Sequence, residues 1–312
     1  MNKYLKDYEW SDIGAMIRNN RADPARTAEA CAGKLVAITG ATSGIGRETA
    51  RLYASRGASL VCVNRSEEKS ARLKAEIEGE FGVACRILLA DFSRLADIRA
   101  AAAALAELPE AIDVLIHNAG VFNTKRRFTA DGLEEVFQVD YLASFIITHA
   151  LLGRLAREGR TRVLFVNSEG HRFAIEGLRL DDLAWEKRHY TGLRSYGAAK
   201  TAQLLAMAEF AERLAGGGAA VNAMHPGDVR SAMGENNGRV YRFFKRRLIT
   251  PGARDPRISA EALYHLGVAP ELAGASGKFF NLTTEETPAP HALDRGLAAE
   301  LWETSLRLGG LA

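Results

Sequence analysis

"KLVAITGATSGIGRETARLYASRG", residues 34–57, is the stretch from which the fold can be read. Its opening, "KLVAIT" (34–39), is short, apolar and partly β-branched, as a buried strand is, and it stops at Gly40. Its close, "GIGRETARLYASRG" (44–57), repeats apolar residues at helical spacing and ends at glycine. Between them, "TGATSGIG" (39–46) sets Gly40, Gly44 and Gly46 where strand gives way to helix. Glycines there allow a tight turn and let a ligand come close to the backbone. The start of the helix offers free N–H groups and the positive end of its dipole to a pyrophosphate. Three glycines alone fit an ordinary turn equally well, and it is the strand before and the helix after that favour dinucleotide binding. Gly40, Thr42, Ser43, Gly44, Ile45 and Gly46 then form the cofactor loop.

Outward from this unit the same alternation continues. "ASLVCVN" (58–64), "VACRILLAD" (83–91), "IDVLIHNAG" (112–120), "TRVLFVNS" (161–168), "AAVNAMHPG" (219–227) and "GKFFNL" (277–282) read as strands, the last as the final strand. Helical patterns fall at 66–80, 94–107, 132–158 and 195–215, and Gly216-Gly217-Gly218 marks a helix end. The strand cores are continuously apolar, which is expected when both faces are covered, and parallel strands need crossover helices. The expectation is a doubly wound α/β fold, a parallel sheet with helices on both faces (Rossmann fold), in a single domain. Residues 1–32, polar and mixed in charge, read as an N-terminal extension with a short helix or two. Residues 33–312 form the domain.

Composition narrows the function classes. The 312 residues are 47% hydrophobic with a net charge of +3, an ordinary globular balance with no basic field for nucleic acid. Cys31, Cys62 and Cys85 are too scattered for a metal or disulfide framework and read as small buried residues. The N-terminus has no signal-peptide run, and no stretch is expected to reach the ~18 apolar residues of a membrane span. A cytoplasmic protein is the expectation.

Two local patterns point to chemistry. The second strand ends in Asn64-Arg65, with no acid to bind a ribose 2′-OH; Arg65 can instead pair with a 2′-phosphate and stack on adenine. This favours NADP(H) over NAD, the alternative being an exposed loop arginine. Asp91, beside Phe92, can accept from the adenine amino group or cap the helix that begins near Ser93. In "SYGAAK" (195–200), Tyr196 and Lys200 lie one helical turn apart and can enter one space. An ammonium there lowers the phenol from its usual pKa of about 10, making a general acid or base. A Tyr and a Lys that merely share a face are the plain alternative for the pair alone.

Taken in order, "TGATSGIG" (39–46), "NAG" (118–120), Ser168, "YGAAK" (196–200) and "HPG" (225–227) resemble the short-chain dehydrogenase/reductase family of the classical type. "DDLAWEKRHYTGLRSYGAAKTAQLL" (181–205) and the Ser-to-Tyr gap resemble its retinol-dehydrogenase-like branch. The resemblance implies that Tyr196 exchanges the proton at the substrate oxygen, that Lys200 binds the nicotinamide ribose and lowers the tyrosine pKa, and that Ser168 holds the substrate carbonyl. It also implies cofactor contacts from Asn118, Ala119, Gly120, Pro226, Gly227 and Val229, together with Tyr196 and Lys200. The substrate is then a small carbonyl/alcohol compound, hydrophobic in this branch. The family is often dimeric or tetrameric.

Departures from the family pattern concern its asparagine, here Asp140 in "FQVDYLASF" (137–145), and its threonine, here Ser231. The asparagine is held to bend the helix and offer a backbone carbonyl to a water linked to the lysine; Asp140 can keep both and adds a charge that can pair with Lys200. Glu169 and His171, beside Ser168, touch substrate or face solvent. His117 reads as a core residue and His225 as one that orients a loop. The resemblance places a substrate lid at about 228–258; within it, "GRVYRFFKRRLITPG" (238–252) reads as a solvated helix burying Tyr241, Phe243 or Phe244 against the domain, with a basic amphipathic lid or a membrane-surface patch as alternatives. Besides carbonyl/alcohol chemistry, reduction of a carbon–carbon double bond and a non-catalytic NADP(H) sensor stay open; Ser168 argues against the first, and the intact Ser168, Tyr196 and Lys200 against the second.

Overall fold

The apolar runs of the sequence become the strands of one sheet. The computed structural model describes residues 3–230, 234, 237 and 253–311. Ser231 and the 238–252 segment lie outside the described residues. The strands are β1 (Leu35–Thr39), β2 (Ser59–Asn64), β3 (Cys85–Leu89), β4 (Val114–His117), β5 (Arg162–Val166), β6 (Ala220–His225), β7 (Phe279–Asn281) and β8 (Thr284–Glu286). Their order across the sheet is β3-β2-β1-β4-β5-β6-β7-β8. The first seven are parallel, and β8 turns back antiparallel on β7. The chain reverses its direction of travel between β1 and β4, so a crevice opens at their C-terminal ends. Every residue of β1, β4 and β6 is buried, as their mainly apolar, non-alternating pattern anticipates.

The helices are α1 (Trp10–Asn19), α2 (Gly44–Ser55), α3 (Glu67–Phe81), α4 (Leu95–Ala106), α5 (Ala143–Glu158), α6 (Gly192–Arg213), α7 (Arg257–Val268) and α8 (Arg295–Gly309). One apolar cluster gathers α4, α5, α6 and α8 on one face of the sheet; a second gathers α2 and α7 on the other. In the first, Trp302 of α8 meets Phe145 and Phe210 at ring-centroid distances of 5.0 and 4.9 Å. Burial of each such ring contributes about 1.5–3 kcal/mol.

Two sequence expectations change here. β7 is not the last strand: the polar "TEE" of β8 follows it as an edge strand, where one-sided burial leaves no apolar run to detect. The helix Phe137–Glu158 is, by length and composition, long and apolar enough to cross a membrane, contrary to the expectation. It is 72% buried in the protein and is a core helix whose apolar surface is covered on several sides. Its first part, Phe137–Leu142, is wound as a π turn that contains Asp140. Residues 3–31 also pack along the domain. Ala25 N donates to Thr283 Oγ1 at 2.8 Å, the Arg254 guanidinium to the Ala22 carbonyl at 2.7 Å, and Tyr4 OH to Asp294 Oδ2 at 2.7 Å. The three cysteines are buried and free.

Candidate active site

The loop after β1 is held by the ends of the strands on either side. Thr39 Oγ1 accepts from the backbone N–H groups of Asn118 and Ala119, each at 3.0 Å. Asn118 Nδ2 donates back to the carbonyls of Thr39 and Gly40 at 3.0 and 2.9 Å. Asn64 Oδ1 accepts from Ala41 N at 2.7 Å. A Cβ on Gly46 would lie 2.3 Å from the Gly40 carbonyl oxygen and 2.4 Å from Asn118 Nδ2, so no side chain fits there. Gly40 itself has φ +71°, a conformation that favours glycine. Ser43 precedes α2 without a side-chain capping bond, which leaves the helix N-terminus to an anion.

A cleft of about 310 Å³ lies over this loop. Gly40, Thr42, Ser43, Gly44, Ile45, Asn64, Arg65, Asp91, Phe92, Asn118, Ala119 and Gly120 line it, with Ser66 and Lys69 beside Arg65. The cradle without room for a Cβ and the basic far wall fit a dinucleotide. Gly46 packs behind the loop instead of lining it. Asn64 is buried and turned inward, so Arg65, Ser66 and Lys69 form the wall at that end. Asp91 Oδ1 accepts from Ser93 N and Oγ at 3.0 and 2.8 Å, so it caps the turn that leads to α4 while still bordering the cleft.

A second cleft, about 480 Å³, continues from the first through Ile45 and Asn118. Ser168, Tyr196, Lys200, Pro226, Gly227 and Val229 line it, with Asn167, His225 and Asp228. Ser168 leaves the end of β5 and opens a 3₁₀ turn, Glu169–Phe173, where its Oγ accepts from Gly170 N at 3.0 Å. Tyr196 and Lys200 stand one turn apart on α6, as the spacing requires. Lys200 Nζ donates to the Val166 carbonyl at 3.0 Å and lies 5.5 Å from the centre of the Tyr196 ring. Phe122 meets that ring edge-on at 5.8 Å.

Asp140 does not line the cleft. It is buried behind Gly120 and Val121, with Oδ1 accepting from Val121 N at 2.7 Å and Oδ2 lying 3.8 Å from Lys200 Nζ. Burial pushes the Asp140 carboxyl up to about 6, against the pull of the lysine, and burial lowers Lys200. The two form a buried pair, and this corrects the tyrosine expectation. The Tyr196 phenol is held above its ordinary range, first by burial and then by the Asp140 carboxylate; the Ser168 hydroxyl acts in the opposite direction. The lysine charge that was expected to lower the phenol is answered by Asp140. The Asp140 backbone carbonyl, expected to hold a water, accepts from Gln203 Nε2 at 3.1 Å.

Glu169 and His171 neither face solvent nor line the cleft; both are buried under the serine turn. His117 sits in the core, bonded to Thr148 Oγ1 at 2.8 Å, and His225 Nδ1 accepts from Glu169 N at 3.3 Å. Sequence reasoning missed Thr39, whose place directly before the glycine loop was the available signal. It also missed Asn167, whose Nδ2 holds the Lys200 carbonyl at 2.9 Å and whose Oδ1 accepts from Ser168 N at 2.8 Å.

The short chain dehydrogenase family profile matches residues 34–178. Human retinol dehydrogenase 13 is 37% identical over 287 residues, covering 89% of this chain and 85% of that one. Among solved structures, an uncharacterised protein from Mycobacterium paratuberculosis superposes with a TM-score of 0.70 at 27% identity, covering 92% of this chain and 98% of that chain. A short-chain dehydrogenase from Sphingobium yanoikuyae in complex with NADPH superposes with a TM-score of 0.63 at 25% identity, covering 88% and 94%. The chain belongs to the short-chain dehydrogenase/reductase family and resembles its retinol dehydrogenases. It is accordingly an oxidoreductase that works on small molecules.

Proposed function

We propose that this protein is an NADP(H)-dependent oxidoreductase that interconverts a carbonyl and an alcohol on a hydrophobic small molecule. One observation carries the reading: Ser168, Tyr196 and Lys200 converge on a single cleft that runs on into the glycine-loop cleft. Arg65 and Lys69, at the far end, supply the charge that suits a 2′-phosphate. The hydrophobic character of the substrate is read from the likeness to retinol dehydrogenases.

A bound nicotinamide supplies or accepts the hydride. Ser168 Oγ donates to the substrate oxygen and orients it. Tyr196 delivers a proton to that oxygen as it gains negative charge, and takes the proton back in the reverse direction. Lys200 brings positive charge to the same space. Asp140 offsets that charge, and the phenol stays protonated through neutral pH, the form that an acid in carbonyl reduction needs. Alcohol oxidation needs the phenolate as base, so its rate is expected to rise with pH.

The test is loss of absorbance at the reduced-nicotinamide band with NADPH and, separately, NADH, over aldehydes and ketones from small aromatics to steroid- and retinoid-sized compounds. Turnover with NADPH well above that with NADH is expected. Equal rates with both would overturn the cofactor assignment. Tight NADPH binding without turnover of any carbonyl, but with reduction of a conjugated double bond, would overturn the reaction class.

A further inference from the structure

Beneath Ser168 runs a chain of hydrogen bonds whose polarity is determined throughout. Ala289 N donates to His171 Nε2 at 3.1 Å. A backbone amide can only donate, so Nε2 is an acceptor and the His171 proton sits on Nδ1. Nδ1 lies 2.8 Å from the Ser168 carbonyl oxygen and donates to it. The His171 carbonyl in turn lies 2.9 Å from His291 Nε2. A carbonyl can only accept, so His291 carries its proton on Nε2, and its Nδ1 accepts from Tyr8 OH at 2.8 Å. His171 and His291 are fully buried. The chain thus begins in the N-terminal segment and ends on the backbone of the serine.

A second line reaches the same turn. Asn19, the last residue of α1, donates from Nδ2 to Glu286 Oε1 at 2.8 Å. Glu286 Oε2 takes Arg172 Nη2 at 3.3 Å, and Arg172 also binds the Glu169 carboxylate and the Thr287 carbonyl, the latter at 2.7 Å. Arg172, Glu169 and Glu286 are all buried. The 3₁₀ turn that presents Ser168 is therefore gripped at His171 and at Arg172, and each grip ends on residue 8 or residue 19. Buried polar networks of this kind hold a single geometry when every partner is in place.

We infer that Tyr8 and Asn19 are positioning residues for the reaction, setting the Ser168 hydroxyl toward the substrate oxygen through His171 and Arg172. The inference rests on the reading of Ser168 given above. Neither residue lines either cleft, so neither touches substrate or cofactor.

The experiment uses the full chain with the carbonyl substrate identified in the panel. Tyr8→Phe and Asn19→Ala are each expected to lower kcat about 10-fold, since small misplacement of a reacting group is costly in rate. KM for NADPH and the NADPH dissociation constant are expected to stay within about twofold, because the first cleft is untouched. Asn19→Gln, which keeps the donor, recovers part of the loss. In a Ser168→Ala background, Tyr8→Phe lowers kcat no further. Wild-type kcat in both single variants overturns the inference, and so does an undiminished loss in the Ser168→Ala background. A lowered Tm with unchanged kcat also overturns it, by showing a strap that only stabilises. Failure of the underlying reading looks different: Ser168→Ala alone then retains wild-type kcat.

Discussion

The two ends of the crevice are built in opposite ways. The glycine-loop end comes largely from one continuous stretch, residues 39–46, closed by Asn64 and Asn118 from neighbouring strands, and its contacts are made mostly by backbone atoms. The serine–tyrosine end is drawn from segments far apart in the chain, and its settings depend on buried charges: Asp140 against Lys200, and Glu169 and Glu286 around Arg172. The first end is shaped by what cannot fit, the second by where charge sits. Binding and chemistry should therefore fail separately when each end is altered.

The widest separation is expected from Tyr196→Phe. The ring and its contact with Phe122 remain, so NADPH binding should persist, while kcat falls about 10²–10⁴-fold with the loss of the acid. A variant that keeps wild-type turnover would remove Tyr196 from the reaction. Gly46→Ala strikes the other end. Its Cβ would press on the Gly40 carbonyl and Asn118 Nδ2, and relieving the clash costs about 1–3 kcal/mol and distorts the loop. Titration with NADPH should show affinity reduced at least about tenfold, and undiminished affinity would break the contrast drawn here.

Asp140→Asn sharpens the comparison. Asparagine can keep the Val121 hydrogen bond but leaves the Lys200 ammonium unopposed. The phenol should then lose its proton more readily, moving the rising limb of the pH profile for alcohol oxidation about one unit toward lower pH. A limb in the same place would show that Asp140 does not set the tyrosine. The smallest effect is expected from Glu134→Gln. Burial pushes this carboxyl from 4.5 to about 7, so the native protein holds a proton that the unfolded chain releases. The stability this contributes is fully present below the unfolded value and is lost as pH rises through the folded one. The Gln variant should gain on the wild type by about 2–4 °C in Tm between pH 4.5 and 7, and a pH-independent difference would refute this.

The same contrast explains what could be read from the sequence. Strands covered on both faces leave apolar runs, so β1, β2, β4, β5 and β6 were legible, and the loop between β1 and α2 is contiguous. Ser168, Tyr196 and Lys200 were legible because strand ends and a single helical turn place them. β8 was not, because a three-residue polar edge strand carries no period. The sign of the Tyr196 shift was not, because it is set first by how deeply the fold buries the phenol and then by the Asp140 carboxylate, which lies in a π turn that no spacing rule announces. The burial of His171 was hidden for the same reason: its partners are Ala289 and His291.

The joining of Tyr4, Tyr8 and Asn19 to Asp294, His291 and Glu286 also has a bearing on how the molecule is made. Residues 4, 8 and 19 find their hydrogen-bond partners at 294, 291 and 286, far later in synthesis. The strands and the glycine loop can assemble as they emerge, but the serine turn waits for residues 286–294 before its supports exist. Such contacts between chain ends, nearly 300 residues apart, form late and slow the final step of folding. A nascent chain would thus acquire its glycine-loop cradle before the supports of its serine turn.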